Sequence, residues 1–364
     1  MSEPWAGSSG GGVPGGGVPG VGVVGVGGYL PAEVVPNGVV AERAGVTEEW
    51  IVRKTGIHAR RYAAPDEATS DMAAEAATAA LADAGITPDR LGWIVLATST
   101  PDHPQPPTAG LVQARIGAER AAAFDVNAVC AGFVFALVTA ARLLSGGSAG
   151  RPAEGADHAL VIGADLYSRI IDRSERRTAV LFGDGAGAVV LGPVRPGYGL
   201  TGAELSTRGE RHDLIRVPAG GSRLPASEKT LADGLHHFAM EGRGVREFVT
   251  AELPRTVRRL LTGHGVDPAL VDHFVPHQAN GVMLDEVFPL LGLPRARTHL
   301  TVAEHGNTSA ASIPLALDDA VRRGVFDDGD LLLLAGFGGG MSMGGALVRW
   351  GGLVETNGER NQGT

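Results

Sequence analysis

Phe182-Gly183-Asp184-Gly185-Ala186-Gly187-Ala188-Val189-Val190-Leu191 and, about 155 residues later, Phe337-Gly338-Gly339-Gly340-Met341-Ser342-Met343-Gly344-Gly345-Ala346-Leu347-Val348 share one pattern. Each is a Phe-Gly turn that runs into an apolar strand. Repetition at that distance suggests two similar halves meeting near Pro193 to Gly202. The first block also resembles a phosphate loop. It precedes a strand rather than a helix, however, and no Lys-Ser or Lys-Thr follows, so that reading is rejected.

Outward from these blocks, short apolar runs at 21–27, 93–97, 122–126, 160–164, 188–191, 273–276 and 331–335 read as strands, several of them apolar on both faces and hence central in a covered sheet. Helical patterns alternate with them. Ser70 can cap an alanine-rich helix that runs to about Asp83 and stops at Gly85. A second helix follows Cys130 through Phe133, Leu137 and Leu144 and stops at Gly146-Gly147, and two more are expected over 245–262 and 313–323. Strands alternating with helices imply an α/β fold.

Composition excludes several classes. The chain has 364 residues and 55 glycines, roughly twice the usual 7% share. Hydrophobic residues make up 44%, which excludes a wholly disordered chain, and the glycines show no collagen period. Eight glycines fall in residues 1–20, a Gly/Pro-rich segment expected to be a disordered tail. Residues 21–195 and 196–352 are then the two halves, and 353–364 a flexible tail. The net charge of −9 lacks the basic footprint of a nucleic-acid binder. No apolar run is long enough for a membrane span and the start has no leader pattern. Cys130 is the one cysteine, so no intramolecular disulfide or cysteine-cage metal site is possible, and a cytoplasmic location is expected.

Three polar residues stand where chemistry is possible. Cys130 lies where a strand gives way to a helix. The positive end of the helix dipole favours thiolate there, although a lone cysteine is more often a buried structural residue. His277, in Pro276-His277-Gln278-Ala279-Asn280, follows an apolar strand and can offer an imidazole donor or base, or be a satisfied core histidine. Asn307, in His305-Gly306-Asn307-Thr308-Ser309, reads equally as a turn or cap residue and as a functional amide. No histidine pair has the spacing of a zinc protease.

Taken together, Asp125-Val126-Asn127-Ala128-Val129-Cys130-Ala131-Gly132-Phe133, the Phe182 block, Pro276-His277-Gln278-Ala279-Asn280, His305-Gly306-Asn307-Thr308-Ser309-Ala310-Ala311-Ser312 and Phe337-Gly338-Gly339-Gly340 resemble β-ketoacyl-acyl-carrier-protein synthase III of the thiolase superfamily. Glu49 to Ile57 resembles that family's early segment. The resemblance covers about residues 21–351 and implies a five-layer αβαβα fold, usually a homodimer. It implies decarboxylative Claisen condensation of an acyl-CoA primer with malonyl-acyl-carrier protein, initiating fatty-acid or polyketide synthesis. The alternative is acyl transfer from CoA to a carrier, hydroxyl or amine without carbon–carbon bond formation. No metal and no resident cofactor are implied, acyl-CoA being a substrate.

The same resemblance distributes roles among residues. Cys130 forms the acyl-enzyme, His277 and Asn307 donate to the developing enolate, and the N–H groups of Cys130 and Gly339 form the oxyanion hole. Trp50 and Arg176 hold the adenine, Lys54 lies near the phosphates, and Gly242, Arg243, Ala279 and Asn280 line the CoA tunnel. Gln105, across a dimer interface, and Phe337 shape the acyl pocket. Gly281, Val282 and Met283 follow Asn280, where relatives often carry a basic residue that docks the carrier. Arg243, Arg246, Arg255, Arg258 and Arg259 are candidates to replace it.

Overall fold

Valine, leucine and isoleucine runs that are apolar on both faces need a cover on both faces, and the chain supplies it by sandwiching helices between two sheets. The computed structural model describes residues 20–146 and 155–354. The expected N-terminal tail, apart from Gly20, and residues 355–364 lie outside the described residues, as does Gly147.

The first sheet contains β1 (Gly20–Tyr29), β2 (Leu91–Ala97), β3 (Ala122–Val126), β4 (His158–Asp165) and β5 (Gly185–Val194) in the order β1-β5-β4-β2-β3. The second contains β6 (Gly199–Thr207), β7 (His273–Pro276), β8 (Arg297–Thr298), β9 (Leu331–Gly338) and β10 (Ser342–Arg349) in the order β6-β10-β9-β7-β8. Counted from the first strand of each sheet, the two orders are the same. The pairing directions also match, with the first and last strands antiparallel and the inner crossovers parallel. The repeated Phe-Gly blocks occupy corresponding places, β5 and the turn from β9 to β10.

Four helices complete five layers. α1 (Thr69–Ala84) covers the outer face of the first sheet and α3 (Gly242–Gly263) that of the second. Between the sheets lie α2 (Gly132–Ser145) and α4 (Ser312–Arg322), each touching strands of both. Side-chain alternation explains the arrangement: in β9, Leu331 and Leu333 pack toward α3, whereas Leu332 and Leu334 enter the central core with Phe133, Leu137, Ile313 and Leu317. Each such burial contributes roughly 1.5–3 kcal/mol. The middle layer is tightly packed where the halves meet: a Cβ on Gly163 of β4 would lie 2.2 Å from the Ala310 carbonyl oxygen.

Local expectations are corrected in three places. Ser70 is not the cap of α1, which Ala68 precedes. Its N–H and hydroxyl bind the Asp102 carboxylate at 2.9 and 2.6 Å, while Asp71 accepts from the Ala68 N–H. The strand β6, in which glycine, threonine, serine and glutamate interrupt two leucines, gives no clear apolar run and is absent from the expected strands. Leu353, assigned to the C-terminal tail, forms an antiparallel bridge with Val194.

Candidate active site

The duplicated topology aims both middle-layer helices at one cavity. Before α2 stands a single 3-10 turn, Val129–Ala131, and before α4 another, Ser309–Ala311. The leading residue of each is left-handed, Val129 at φ 48° and Ser309 at φ 51°. For a β-branched valine and a serine this conformation is costly, and such strain concentrates at functional sites. Met341, at φ 51°, is the third non-glycine residue of this kind among the described residues, and it lines the cavity.

That cavity, of about 440 Å³, brings Cys130, His277 and Asn307 to one space. Cys130 enters from the turn after β3, His277 from the end of β7, and Asn307 from the loop before α4. Asn307 also joins the halves: its N–H donates to the Leu181 carbonyl at 2.8 Å, and its carbonyl accepts from the Gly183 N–H at 3.1 Å. The motif that opened the sequence reading thus supports the asparagine backbone. Asn307 Oδ1 accepts from the Ser309 N–H at 2.9 Å, so its amide N–H groups are left for the cavity. The turn role and the functional role coexist in one side chain.

His277 is fixed on two sides. Its Nδ1 lies 2.8 Å from Ser312 Oγ, which also accepts the Gln278 N–H at 3.2 Å, and its ring meets the Phe337 ring at 70° and 5.1 Å. Burial pushes its pKa down to about 3, against a smaller opposing hydrogen bond to the Ser309 backbone. The imidazole is therefore neutral at physiological pH.

Cys130 departs from the expectation of a thiolate favoured by a helix terminus. Burial pushes the thiol up to about 12, with the Asp165 carboxylate adding to the rise and a hydrogen bond from Ser309 opposing it. Ser309 Oγ lies 3.3 Å from Sγ, within hydrogen-bond reach. Gly338, rather than Gly339, presses against Cys130: a Cβ there would lie 2.7 Å from Cys130 Cβ and 2.8 Å from its nitrogen. Gly339 faces Val129 and Ile215 instead.

The tunnel residues converge as well. Trp50, Lys54, Arg176, Gly242, Arg243, Ala279 and Asn280 all line this cavity, as does Phe337. The Arg176 guanidinium lies over the Trp50 ring at 6.0 Å. Asn280 is partly committed to structure: its Oδ1 caps the helix Gly281–Val287 through the Met283 N–H, and its Nδ2 donates to the Lys54 carbonyl. Arg177, unanticipated, also lines the mouth but is paired with Glu175 at 2.8 Å. Gln105 is exposed and does not line the cavity of its own chain.

Sequence reasoning gave no role to Asp165, Ser309 or Ser312, and placed the close backbone approach at Gly339 where the structure has Gly338. One signal was available: Asp165 and Gly338 end apolar strands, and the carboxyl ends of strands are where open α/β sheets build sites.

Residues 124–209 match the family described as 3-oxoacyl-[acyl-carrier-protein (ACP)] synthase III, and residues 261–350 match its C-terminal part. An acetoacetyl CoA synthase of a Streptomyces species is 57% identical over 326 residues, covering 88% of this chain and 96% of that protein. A β-ketoacyl-[acyl-carrier-protein] synthase III of Rhodospirillum centenum is 45% identical over 326 residues, with the same two coverages. Among solved structures, 3-oxoacyl-(acyl carrier protein) synthase III of Pseudomonas aeruginosa superposes with a TM-score of 0.82 at 38% identity, covering 92% of this chain and 99% of that one. The priming β-ketosynthase of the R1128 polyketide pathway gives 0.81 at 33% identity, covering 92% and 98%.

Proposed function

The chain belongs to the 3-oxoacyl-[acyl-carrier-protein] synthase III family, and on that premise we propose that Cys130, His277 and Asn307 carry its reaction. The enzyme condenses an acyl-CoA primer with a malonyl thioester, with loss of carbon dioxide. The observation that carries the residue assignment is the convergence of a thiol, a neutral imidazole and an oriented amide on one cavity.

In the first half-reaction Cys130 Sγ attacks the primer carbonyl and CoA thiolate leaves. The backbone at Cys130 and Gly339 is the proposed oxyanion site. In the second, the malonyl thioester oxygen takes hydrogen bonds from the Asn307 amide and from His277 Nε2, in the tautomer for which Ser312 Oγ, 2.8 Å away, is the donor to Nδ1. Carbon dioxide leaves, and the resulting carbanion attacks the acyl-cysteine. A neutral imidazole suits this task, since it donates a hydrogen bond without surrendering a proton. No resident cofactor or metal enters the scheme. The relatives reported above carry the names of condensing enzymes, so acyl transfer without carbon–carbon bond formation draws no support from them.

The arginines of α3 favour CoA over a carrier protein as the malonyl carrier. Arg246 is paired with Glu286 at 2.6 Å, Arg255 with Glu252 at 2.5 Å and Arg259 with Glu204 at 2.6 Å, leaving less free positive surface for an acidic protein. Lys54, Arg176 and Arg243 carry no ion pair among the described residues and stand at the mouth, where CoA phosphates need cations. The name of the Streptomyces relative agrees with this reading. A second copy of the chain is proposed to pair along the open edge of β3, and the lone thiol suits a reducing, cytoplasmic setting.

Separating the half-reactions tests the assignment. His277→Ala and Asn307→Ala should form acyl-enzyme at rates near wild type and lose malonyl decarboxylation by about 10²–10³-fold, the usual cost of one such donor. Equal loss of both half-reactions would assign the two residues a structural role instead.

A further inference from the structure

Behind the nucleophile lies a buried carboxylate that the reaction above does not use. Asp165 ends β4, is fully buried, and is built into a dense set of donors. Its Oδ1 accepts from the Ser99 N–H at 2.8 Å and from the hydroxyls of Ser99, Thr100 and Thr98 at 3.0, 3.0 and 3.2 Å. Its Oδ2 accepts the Ala310 N–H at 3.1 Å, and the Ser309 side chain is hydrogen-bonded to the carboxylate. Ser309 in turn reaches Cys130 Sγ at 3.3 Å. A path of one hydroxyl therefore connects the thiol to the carboxylate.

The pseudo-symmetry shows that this carboxylate is a local addition and not a fold requirement. The last residue of the fourth strand in each half faces the helix-leading turn of the other half: Gly338 of β9 packs on Cys130, and Asp165 of β4 binds Ala310. One corresponding position holds glycine and the other an acid. Ser309 itself is held at a left-handed φ where glycine is the easier residue, so its hydroxyl is retained against a conformational cost.

We propose that Ser309 and Asp165 form a proton relay that accepts the Cys130 proton during acylation and returns it after condensation. The proposal rests on Cys130 being the acylated nucleophile. As Sγ attacks the primer carbonyl, the S–H bond breaks and its proton passes to Ser309 Oγ, while the Ser309 proton passes to the Asp165 carboxylate. CoA leaves as thiolate and takes a proton from solvent. When the carbanion displaces Cys130 from the acyl group, the proton on Asp165 returns through Ser309 to Sγ. Each turnover consumes one solvent proton, the one that ends on CoA.

The alternatives for this step are weaker. A thiol at about 12 is almost wholly protonated at neutral pH, and an imidazole at about 3 is a poor acceptor. Burial raises the Asp165 carboxyl, which makes it a better one. The titratable groups facing Asp165 are Cys130, on the turn before α2, and Tyr167, just past β4, whose hydroxyl lies 3.1 Å from Ser99 Oγ. Tyr167 is itself raised well above its usual value by burial, so it does not compete as a base.

The test is single-turnover acylation of the full chain by acyl-CoA, read by intact mass across pH 6–9, for wild type and for Asp165→Asn, Ser309→Ala and Ser309→Gly. At pH 7 the variants should acylate at least about 10²-fold more slowly than wild type, a typical general-base contribution. The deficit should shrink as pH rises and hydroxide supplies the thiolate. A deficit that stays constant across pH would indicate a structural role and overturn the relay. Faster acylation by Asp165→Asn would also overturn it, because a charge acting only through space raises the thiol pKa and its removal would help. Ser309→Gly tolerates the local backbone and keeps the test open if Asp165→Asn does not fold. If wild type itself forms no acyl-enzyme, the nucleophile assignment fails, a result distinct from failure of the relay alone.

Discussion

At the scale of single residues, charge at the tunnel mouth separates into two kinds. Arg246 spends its guanidinium on Glu286, an exposed pair of the sort that contributes about 0–1 kcal/mol, whereas Arg243, three residues earlier on α3, has no ion-pair partner among the described residues. Arg243→Ala should therefore raise the KM for acyl-CoA several-fold with little change in kcat, and Arg246→Ala should leave it near wild type. Steady-state kinetics with both CoA and carrier-protein malonyl thioesters would check this. A large effect of Arg246→Ala confined to the carrier-protein substrate would show that α3 docks a protein after all. Such distinctions were not legible in the sequence. Arg243, Arg246, Arg255, Arg258 and Arg259 read as one basic stripe until Glu286 from the helix Gly281–Val287 and Glu204 from β6 come into place; only Glu252, one turn before Arg255 on α3, was within reach of the sequence.

At the scale of elements, strands of both kinds were legible, the fully buried β7 and the half-buried edge strand β3. β3 and β7 have the expected bounds, and β4 and β5 extend the predicted runs by a few residues each. The helix end at Gly85 follows from its glycine, held left-handed at φ 64°, whereas α2 ends at Gly146 with φ −83°, which needs no glycine. Ser70 misled because a serine before an alanine run looks like a cap, and only tertiary structure supplies Asp102 to claim it. β3 also carries a prediction. It is the edge of its sheet and leaves Phe124 and Val126 half-buried in the single chain. Sedimentation should give twice the 37.3 kDa chain mass, with slow hydrogen exchange along β3. A monomer with fast exchange at that edge would contradict the proposed pairing.

For the whole molecule, duplication is the organising fact, and the Phe182 and Phe337 blocks disclosed it because turns that must pass close to another backbone keep their glycines. What the repeat could not disclose is how the halves differ where they meet. Cys130 stands opposite Gly338, and Ala310 opposite Asp165, a cross-half exchange that depends on contacts about 145–210 residues apart in the chain. The residues of the reaction were legible because each follows a strand or precedes a helix in a short motif. Ser309, Ser312 and Asp165 were not, since a serine after Asn-Thr and an aspartate ending a strand are ordinary turn residues until they face a thiol or an imidazole. The account as a whole stands on acyl-Cys130 being the species that malonyl thioester consumes. Intact mass during a single turnover tests this most directly: wild type should gain the acyl mass on mixing with acyl-CoA and lose it on adding malonyl-CoA, with β-ketoacyl-CoA and carbon dioxide appearing at the same rate, and Cys130→Ala should gain nothing. An adduct that persists in malonyl thioester while product forms, or that forms equally on Cys130→Ala, would contradict it.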